Sequence, residues 1–209
     1  MNSGYIRSLL QKIRKVHKGA AGLAPMIVML IFFMCIFLSL VFRKGVLQYD
    51  YERLDSGLTY ALLAGAVINL EEYAVSGNII IADSPRPEIG DSTFMHSYYH
   101  FLDSLRVDLG LDEGMNFTGT PGLGGNVEVV EYKVYNYIRD AAGWHVTECG
   151  ITGGQMYVIE GQNNVRLTIA ANDGIVEIGE TSVYAKIAFM LDGAKRYTLT
   201  RLIAVTQSP

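Results

Sequence analysis

The sequence predicts an α+β protein in which a long N-terminal transmembrane helix continues into an amphipathic helix that packs on an antiparallel β-sheet. Three observations predict this fold class. An uncharged apolar run lies near the N-terminus, a helical apolar stripe follows it directly, and the periodicity later changes to two residues. The length of 209 residues suits one folded domain plus an attachment.

The apolar run extends from Ala20 to Phe42 without a charged residue. As a helix its roughly 23 residues would measure about 34 Å, enough to cross a hydrocarbon core of about 30 Å. The apolar part of a secretory signal is usually only about 7–15 residues long. A retained anchor is therefore favoured over a removed signal peptide or a soluble core helix. Pro25 lies in the first turns of this predicted helix, where its missing N–H costs little.

The charges predict the orientation of the anchor. Five of the 17 basic residues lie in the first 42 positions, which contain no acid, so 12 basic residues remain against all 21 acidic ones. The positive-inside rule keeps the basic tail in the cytoplasm and sends the C-terminal part across a cell membrane. An acidic outer part also argues against nucleic acid as a partner, because binding to phosphates depends on Lys and Arg.

An apolar stripe continues the helix beyond the apolar run. We predict a single helix from Ala20 to Tyr73, and the alternative is two helices separated by a kink at Arg43-Lys44-Gly45. Small side chains after Leu58 would let a neighbouring helix approach closely. The predicted helix-assembly face comprises Tyr51, Leu54, Leu58, Ala61, Gly65 and Ile68.

The remaining chain is predicted to hold a short helix and then strands. A loop up to Gly90 precedes a helix that is capped by Asp91 or Ser92 and runs to about Leu109, with Gly110 as its stop. A glycine-rich connector, Gly114 to Asn126, follows.

Alternation of apolar and polar residues then predicts a meander of five or six antiparallel strands with one covered and one solvated face. The predicted strands include Val127–Ile138, Trp144–Cys149 and Gln155–Glu160. The domain boundaries follow as a basic tail or leader over 1–19, a transmembrane helix over 20–42, a stalk helix over 43–75 and an extracytoplasmic α+β domain over 76–209.

Two segments resemble the pilin-like proteins, most closely the TadE/TadG-like pseudopilins of tight-adherence pilus systems. They are Lys18-Gly19-Ala20-Ala21 before the apolar run and LDSGLTYALLAGAV, Leu54 to Val67, after it. The resemblance covers about the first third of the chain. It implies a pilin-like fold and a structural subunit that associates with itself or with other pilin-like subunits through helices.

The same resemblance implies a cleavable leader, which would be cut between Gly19 and Ala20. Pilin precursors typically carry Glu at the fifth mature position, and this chain has Ala24 there. A Glu in lipid is costly and persists only for a purpose, such as pairing with a neighbour's terminal amine. Its absence favours an accessory or minor subunit over a major filament subunit.

Chemistry-bearing residues are sparse. His96 and His100 are four apart on the predicted second helix and Asp103 is three further on, so these three are the weak candidates for a metal site. The glycine-rich connector lacks the Lys-Ser/Thr of a phosphate-binding loop. We therefore expect no enzyme activity, no cofactor and no small-molecule substrate.

Two main functions are compatible with these patterns. The first is a single-pass structural protein of a pilus or secretion assembly, held in membrane lipid and assembling through its helix. The alternative is a membrane-tethered extracytoplasmic binding module that does not polymerise. A membrane-anchored enzyme using His96 and His100 is a third hypothesis.

Overall fold

The computed structural model describes residues 3–81, 93–119, 123–141, 143–161, 167–171, 174–191 and 195–205. The chain divides into an N-terminal unit, Met1–Gln48, and a second unit, Tyr49–Pro209, which we call the head. The described elements are α1 (Ser3–Gly65), α2 (Leu70–Ser76), α3 (Thr93–Leu109), β1 (Leu123–Asp140), β2 (Gly143–Thr152), β3 (Gln155–Glu160), β4 (Leu167–Ala171), β5 (Gly174–Ile178), β6 (Ser182–Leu191) and β7 (Lys195–Ala204).

The N-terminal unit contains the part of α1 that is long and apolar enough to cross a membrane. Every large apolar side chain from Met26 to Phe42 is 42–78% exposed. The predicted start at Ala20 is wrong, because α1 begins at Ser3 and Pro25 lies inside it. That proline removes one backbone hydrogen bond, which membrane helices tolerate. α1 also stays helical through Gly45, where the alternative placed a break.

In the head, the last turns of α1 are buried. Leu54, Leu58, Ala61 and Leu62 are all fully shielded from solvent, and their spacing places them on one face of the helix. Gly57 lies against the side chain of Leu109 at the end of α3. The apolar stripe seen in the sequence therefore forms part of the head's own core.

The predicted continuation of this helix to Tyr73 is wrong, because α1 ends at Gly65. The carbonyl oxygen of Gly65 accepts hydrogen bonds from the Ser97 hydroxyl at 2.5 Å and from the Val67 amide at 2.8 Å. The chain then turns, and Asn69 caps α2 by accepting the Glu71 amide at 3.1 Å. A tertiary partner on α3 thus contributes to ending a helix whose local sequence could continue.

The position of α3 agrees with the predicted helix to within one residue at its start. Its C-terminus is closed by Gly110, whose φ of 67° is the left-handed conformation that glycine adopts without strain. The Gly110 amide donates to Val107 O at 3.3 Å, and the Leu111 amide donates to Arg106 O at 2.8 Å. These two bonds form a Schellman motif, as the sequence predicted for a glycine at this point.

Five strands form one antiparallel sheet in the order β3-β2-β1-β6-β7, and β4 and β5 form a separate hairpin. The expected meander is wrong in this respect, because β6 returns to pair with β1 instead of following β5. Strand β5 was also missing from the predicted set. The order depends on pairing between segments about 50 residues apart, and local alternation carries no information on it.

The sheet has a core on each face. On one face, Tyr132 packs against Phe94 and Phe101 of α3, with ring centroids 5.9 and 4.7 Å away. On the other, a second cluster comprises Tyr135, Val146, Ile178 and Tyr184, with partly buried residues of the β4–β5 hairpin packed on it. The expected solvated face is therefore partly covered.

One ion pair joins α1 to the edge strand β7. Arg201 interrupts the apolar face of β7, and its Nε donates to Asp55 Oδ1 at 2.6 Å while NH2 donates to Asp55 Oδ2. This two-point contact is the strong form of an Arg–carboxylate pair. It explains why a charged residue stands on the face of β7 that meets the helix.

Replacing Gly65 with Ala tests the close packing of α1. A Cβ at this position would lie 2.5 Å from the Tyr132 hydroxyl and 3.2 Å from the Ser97 carbonyl oxygen. We expect Gly65→Ala to lower the free energy of unfolding by about 1–3 kcal/mol. The measurement is denaturant unfolding of the full chain in detergent.

Gly45→Ala is the matched control, since no atom lies within 4 Å of its added Cβ. It should leave unfolding of the head unchanged, because Gly45 lies in the other unit. Equal stability of the two variants would contradict the packing described for Gly65.

Candidate functional site

A cavity of about 390 Å³ lies between α3 and the start of β1, and we call it the α3 cavity. Its volume is within the range of about 300–1,000 Å³ that small ligands occupy. The helix supplies one wall through Tyr98, Tyr99, Leu102, Asp103 and Arg106. Tyr98, Leu102 and Arg106 recur every four residues, so one face of α3 carries them.

The opposite wall comes from the start of β1. Val127 and Val129 line it, and the register with β6 shifts between Val129 and Glu131. That shift leaves Val130 as the extra residue of a β-bulge, which reverses the alternation of side chains. Both valines therefore face the same side of the sheet as Tyr132.

A compact loop completes the cavity and places Met115 in its lining. Met115 has a φ of 61°, and among the described residues no other non-glycine has a positive φ. Such a conformation costs on the order of 1–3 kcal/mol and persists only where the surroundings enforce it. Here the Met115 amide donates to Asp112 O at 3.0 Å, and the Val127 amide donates to Met115 O at 2.8 Å.

Asp112 holds this loop in shape. Its Oδ1 accepts the Asn116 backbone amide at 2.8 Å and the Asn116 side-chain amide at 3.1 Å. The backbone hydrogen bond from Asn116 is the main reason that the pKa of Asp112 is lowered from its ordinary value. The carboxylate is therefore ionised at neutral pH and already engaged within the loop.

Arg106 contributes an unsatisfied hydrogen-bond donor to the lining of the cavity. Its Nε is shielded from solvent and has no hydrogen-bond partner within the described part of the chain. Its NH1 lies 3.9 Å from Asp103 Oδ1, which is too far for a hydrogen bond. The Asp103 side chain is 76% exposed, so water screens much of this ion pair.

Tyr98 adds an aromatic surface and a hydroxyl to the cavity. Its ring centroid lies 5.3 Å from that of Tyr132 and 6.3 Å from that of Phe101. Burial, and secondarily the neighbouring Tyr99, raises the pKa of Tyr98 above its ordinary value. The hydroxyl is therefore protonated at neutral pH and can both donate and accept a hydrogen bond.

The predicted metal residues lie on α3, where His96 and His100 are exposed. Asp103 lines the α3 cavity, but neither histidine does. The described residues contain no group of three His, Cys, Asp or Glu side chains arranged to hold a metal ion. The sequence pattern therefore placed these residues on one helix but did not identify a ligand set.

The predicted helix-assembly face divides into buried and accessible parts. Leu54, Leu58 and Ala61 are fully buried, and Gly65 is buried as well, so these residues are unavailable to a second chain while the head is folded. Tyr51 is 42% exposed, and Ile68 lies half-buried in the turn after α1.

The proposed leader junction, Gly19-Ala20, lies inside α1. The structure does not describe the side chains of this region. The predicted caps Asp91 and Ser92 also lie outside the described residues.

A charged network on the second face of the sheet was not predicted. Lys133 Nζ lies 3.1 Å from Glu131 and 3.5 Å from Glu148, and Lys186 Nζ lies 3.7 Å from Glu131. The Tyr157 hydroxyl donates to Glu148 at 2.6 Å. Burial lowers the pKa of Lys133, but the hydrogen bond to Glu131 and the surrounding negative groups raise it by more. The network is balanced in charge and stabilises the strand order.

A second cavity, of about 300 Å³, lies where the strand ends meet the segment after α2. Its walls are joined by Asn78, whose side chain accepts the Arg139 amide at 3.0 Å and donates to Arg139 O at 3.2 Å. Thr181 donates to Ile79 O at 2.6 Å across the same region. These bonds make Asn78 and Thr181 structural ties between the segment after α2 and the strand ends.

The chain has no match among family models, curated proteins or solved structures.

Two aspartates on α1 have opposite environments. Asp50 lies beyond the predicted transmembrane segment and is 3% exposed, and its Oδ2 has no hydrogen-bond partner in the described part. Burial raises the pKa of Asp50, although the charge of Arg53 acts in the other direction. Asp55, by contrast, is paired with Arg201.

Substitution by Asn should separate these two environments. A raised pKa means that ionised Asp50 weakens the folded state at neutral pH, and this cost disappears as the pH falls towards the ordinary Asp value of about 4. We expect Asp50→Asn to raise the free energy of unfolding at neutral pH, with a gain that shrinks towards pH ~4. Asp55→Asn should lower it by about 1–3 kcal/mol. Denaturant unfolding of the full chain at several pH values measures both, and a loss of stability in Asp50→Asn at neutral pH would contradict the assignment.

Proposed function

We propose that the protein is a single-pass membrane protein of the pilin-like type, an accessory or minor structural subunit of a pilus or secretion assembly. One observation carries this proposal: α1 exposes an unbroken apolar surface from Met26 to Phe42. Exposure of an apolar surface of this size to water is unfavourable. Contact with lipid or with similar helices removes it from water. The five basic residues before it favour a cytoplasmic N-terminus and an extracytoplasmic head.

Association with other subunits is proposed to use the membrane segment of α1. The apolar stripe of the head is committed to the head's own core, with Leu54, Leu58 and Ala61 fully buried. The segment from Met26 to Phe42 remains exposed on all sides and can contact lipid and neighbouring helices together. The resemblance of the N-terminal third to pseudopilins supports helix-mediated assembly.

A second candidate function is a membrane-tethered binding module. The observation that favours it is the α3 cavity, where a shielded Arg106 Nε has no hydrogen-bond partner among the described residues. The two functions are compatible, since an assembled subunit can also present a binding site.

Cysteine crosslinking in native membranes tests the proposed assembly. Cys35 lies exposed in the apolar segment, whereas Cys149 is buried, and burial raises the pKa of its thiol to about 12. Cys149 should therefore be unreactive at neutral pH. With single cysteines placed in turn at Met34, Cys35, Ile36 and Phe37, which cover one helical turn, we expect crosslinked dimers to peak on one face.

Cys35→Ser without a replacement cysteine is the control and should give no dimer. Uniform absence of dimers at all four positions would contradict assembly through this segment. The orientation is checked separately with added protease, which should cut the head from outside the cytoplasmic membrane and not from inverted vesicles.

A further inference from the structure

We propose that the α3 cavity binds a carboxylate that is attached to an aliphatic or aromatic body. This inference rests on the second candidate function, the binding module, and does not require assembly through the membrane segment. Four features of the cavity lead to it: a guanidinium with an unused donor, apolar walls, a strained loop and a suitable volume.

The guanidinium selects the charge of the ligand. Arg106 Nε is shielded from solvent without a partner in the described part of the chain, and Asp103 Oδ1 stands 3.9 Å from NH1. A planar guanidinium presents adjacent N–H groups that match the two oxygens of a carboxylate. A carboxylate in the cavity would satisfy the Nε–H of Arg106, which has no partner in the described part of the chain.

The nearby acidic residues do not accept a hydrogen bond from Arg106 Nε. The carboxylate of Asp112 is engaged by Asn116, and Glu113 and Asp103 are exposed at the rim, where water screens their charge. They lower the affinity for an anion but leave the shielded edge of Arg106 as the strongest anchoring group. A cationic ligand would have to approach Arg106 against its charge.

The walls select the body of the ligand. Leu102 and Val129 supply aliphatic surface, and Tyr98 supplies an aromatic ring with a protonated hydroxyl. The strained Met115 completes the lining, held in place by the hydrogen bonds of its own loop. A cavity of about 390 Å³ accommodates a phenyl or branched alkyl group beside the carboxylate.

The same chemistry has two sources, a free organic acid and the C-terminal residue of a peptide. The experiment therefore uses 3-phenylpropionate with its neutral amide, and a short peptide ending in Phe with its C-terminal amide. Binding is measured by ligand-observed NMR with the full chain in lipid nanodiscs, and empty nanodiscs correct for partition into lipid.

We expect both free acids to bind at least about tenfold more tightly than their amides, because only the acids offer the guanidinium a charged hydrogen-bond acceptor. A peptide that binds more tightly than 3-phenylpropionate would indicate a peptide terminus as the natural ligand. Equal affinities would indicate a small acid. Acids and amides with equal affinity, or no binding of either acid at millimolar concentration, would overturn the proposal.

Two variants separate a binding role of Arg106 from a structural one. Arg106→Gln should reduce the affinity for the acids about tenfold and leave that for the amides unchanged. Asp103→Asn should increase the affinity for the acids, because it removes a competing negative charge from an exposed position. The result for Asp103→Asn does not depend on whether Arg106→Gln impairs folding.

Arg139→Gln is the matched control, since Arg139 is an exposed arginine that lines the other cavity. It should leave the affinities for acids and amides unchanged. An Asp103→Asn variant that binds the acids no better than the wild type would count against Arg106 as the anchor. If none of these results were obtained, the crosslinking expected for the membrane segment would be unaffected. The binding proposal and the assembly proposal can therefore be disproved separately.

Discussion

The burial of one face of α1 within the head is the constraint on which the rest of this domain depends. Leu54, Leu58 and Ala61 have no exposed surface, and each buried leucine contributes on the order of 1.5–3 kcal/mol. This packing requires neighbouring elements to approach the backbone of α1 closely. Gly57 permits the approach of the Leu109 side chain, and Gly65 permits that of the Tyr132 hydroxyl. The arrangement of α3, and with it the α3 cavity, follows from this packing.

One helix thus serves two environments through two kinds of surface. From Met26 to Phe42 α1 is apolar on all sides and exposed, while its last turns are apolar on one face and carry Asp55 for the ion pair with Arg201. In the proposed assembly, this division limits where other subunits can bind. A face that already forms the head's core is not available to them, so the exposed apolar segment is the surface that remains.

The α3 cavity depends on interactions that are far apart in the chain. The bulge at Val130 turns Val127 and Val129 towards α3, and the loop around Met115 is held by Asp112 and Asn116. These elements keep an apolar cavity open beside Arg106. A buried hydrogen-bond donor without a partner lowers the free energy of unfolding by about 1–3 kcal/mol. A ligand that accepts this hydrogen bond would offset the loss.

Much of the fold could be predicted from local patterns. The uncharged run located the part of α1 that is long and apolar enough to cross a membrane, Gly110 marked the end of α3, and alternation located most of the strands, because each of these signals is contained within a few neighbouring residues. The candidate site was harder to predict from the sequence. Asp103 was selected for its spacing from two histidines, whereas Arg106, one turn further on, carried no signal, since only burial distinguishes it from other surface arginines.

The sequence by itself determined most of the helices and strands and which helix is long and apolar enough to cross a membrane, because side-chain polarity and periodicity act locally. Only the tertiary structure decided that α1 stops at Gly65, that β6 pairs with β1 and that the apolar stripe is internal. Each of these outcomes depends on a partner distant in the chain, such as Ser97 for the Gly65 carbonyl. Hydrogen bonds and packing between distant segments are set by the folded arrangement as a whole, and no window of neighbouring residues contains them.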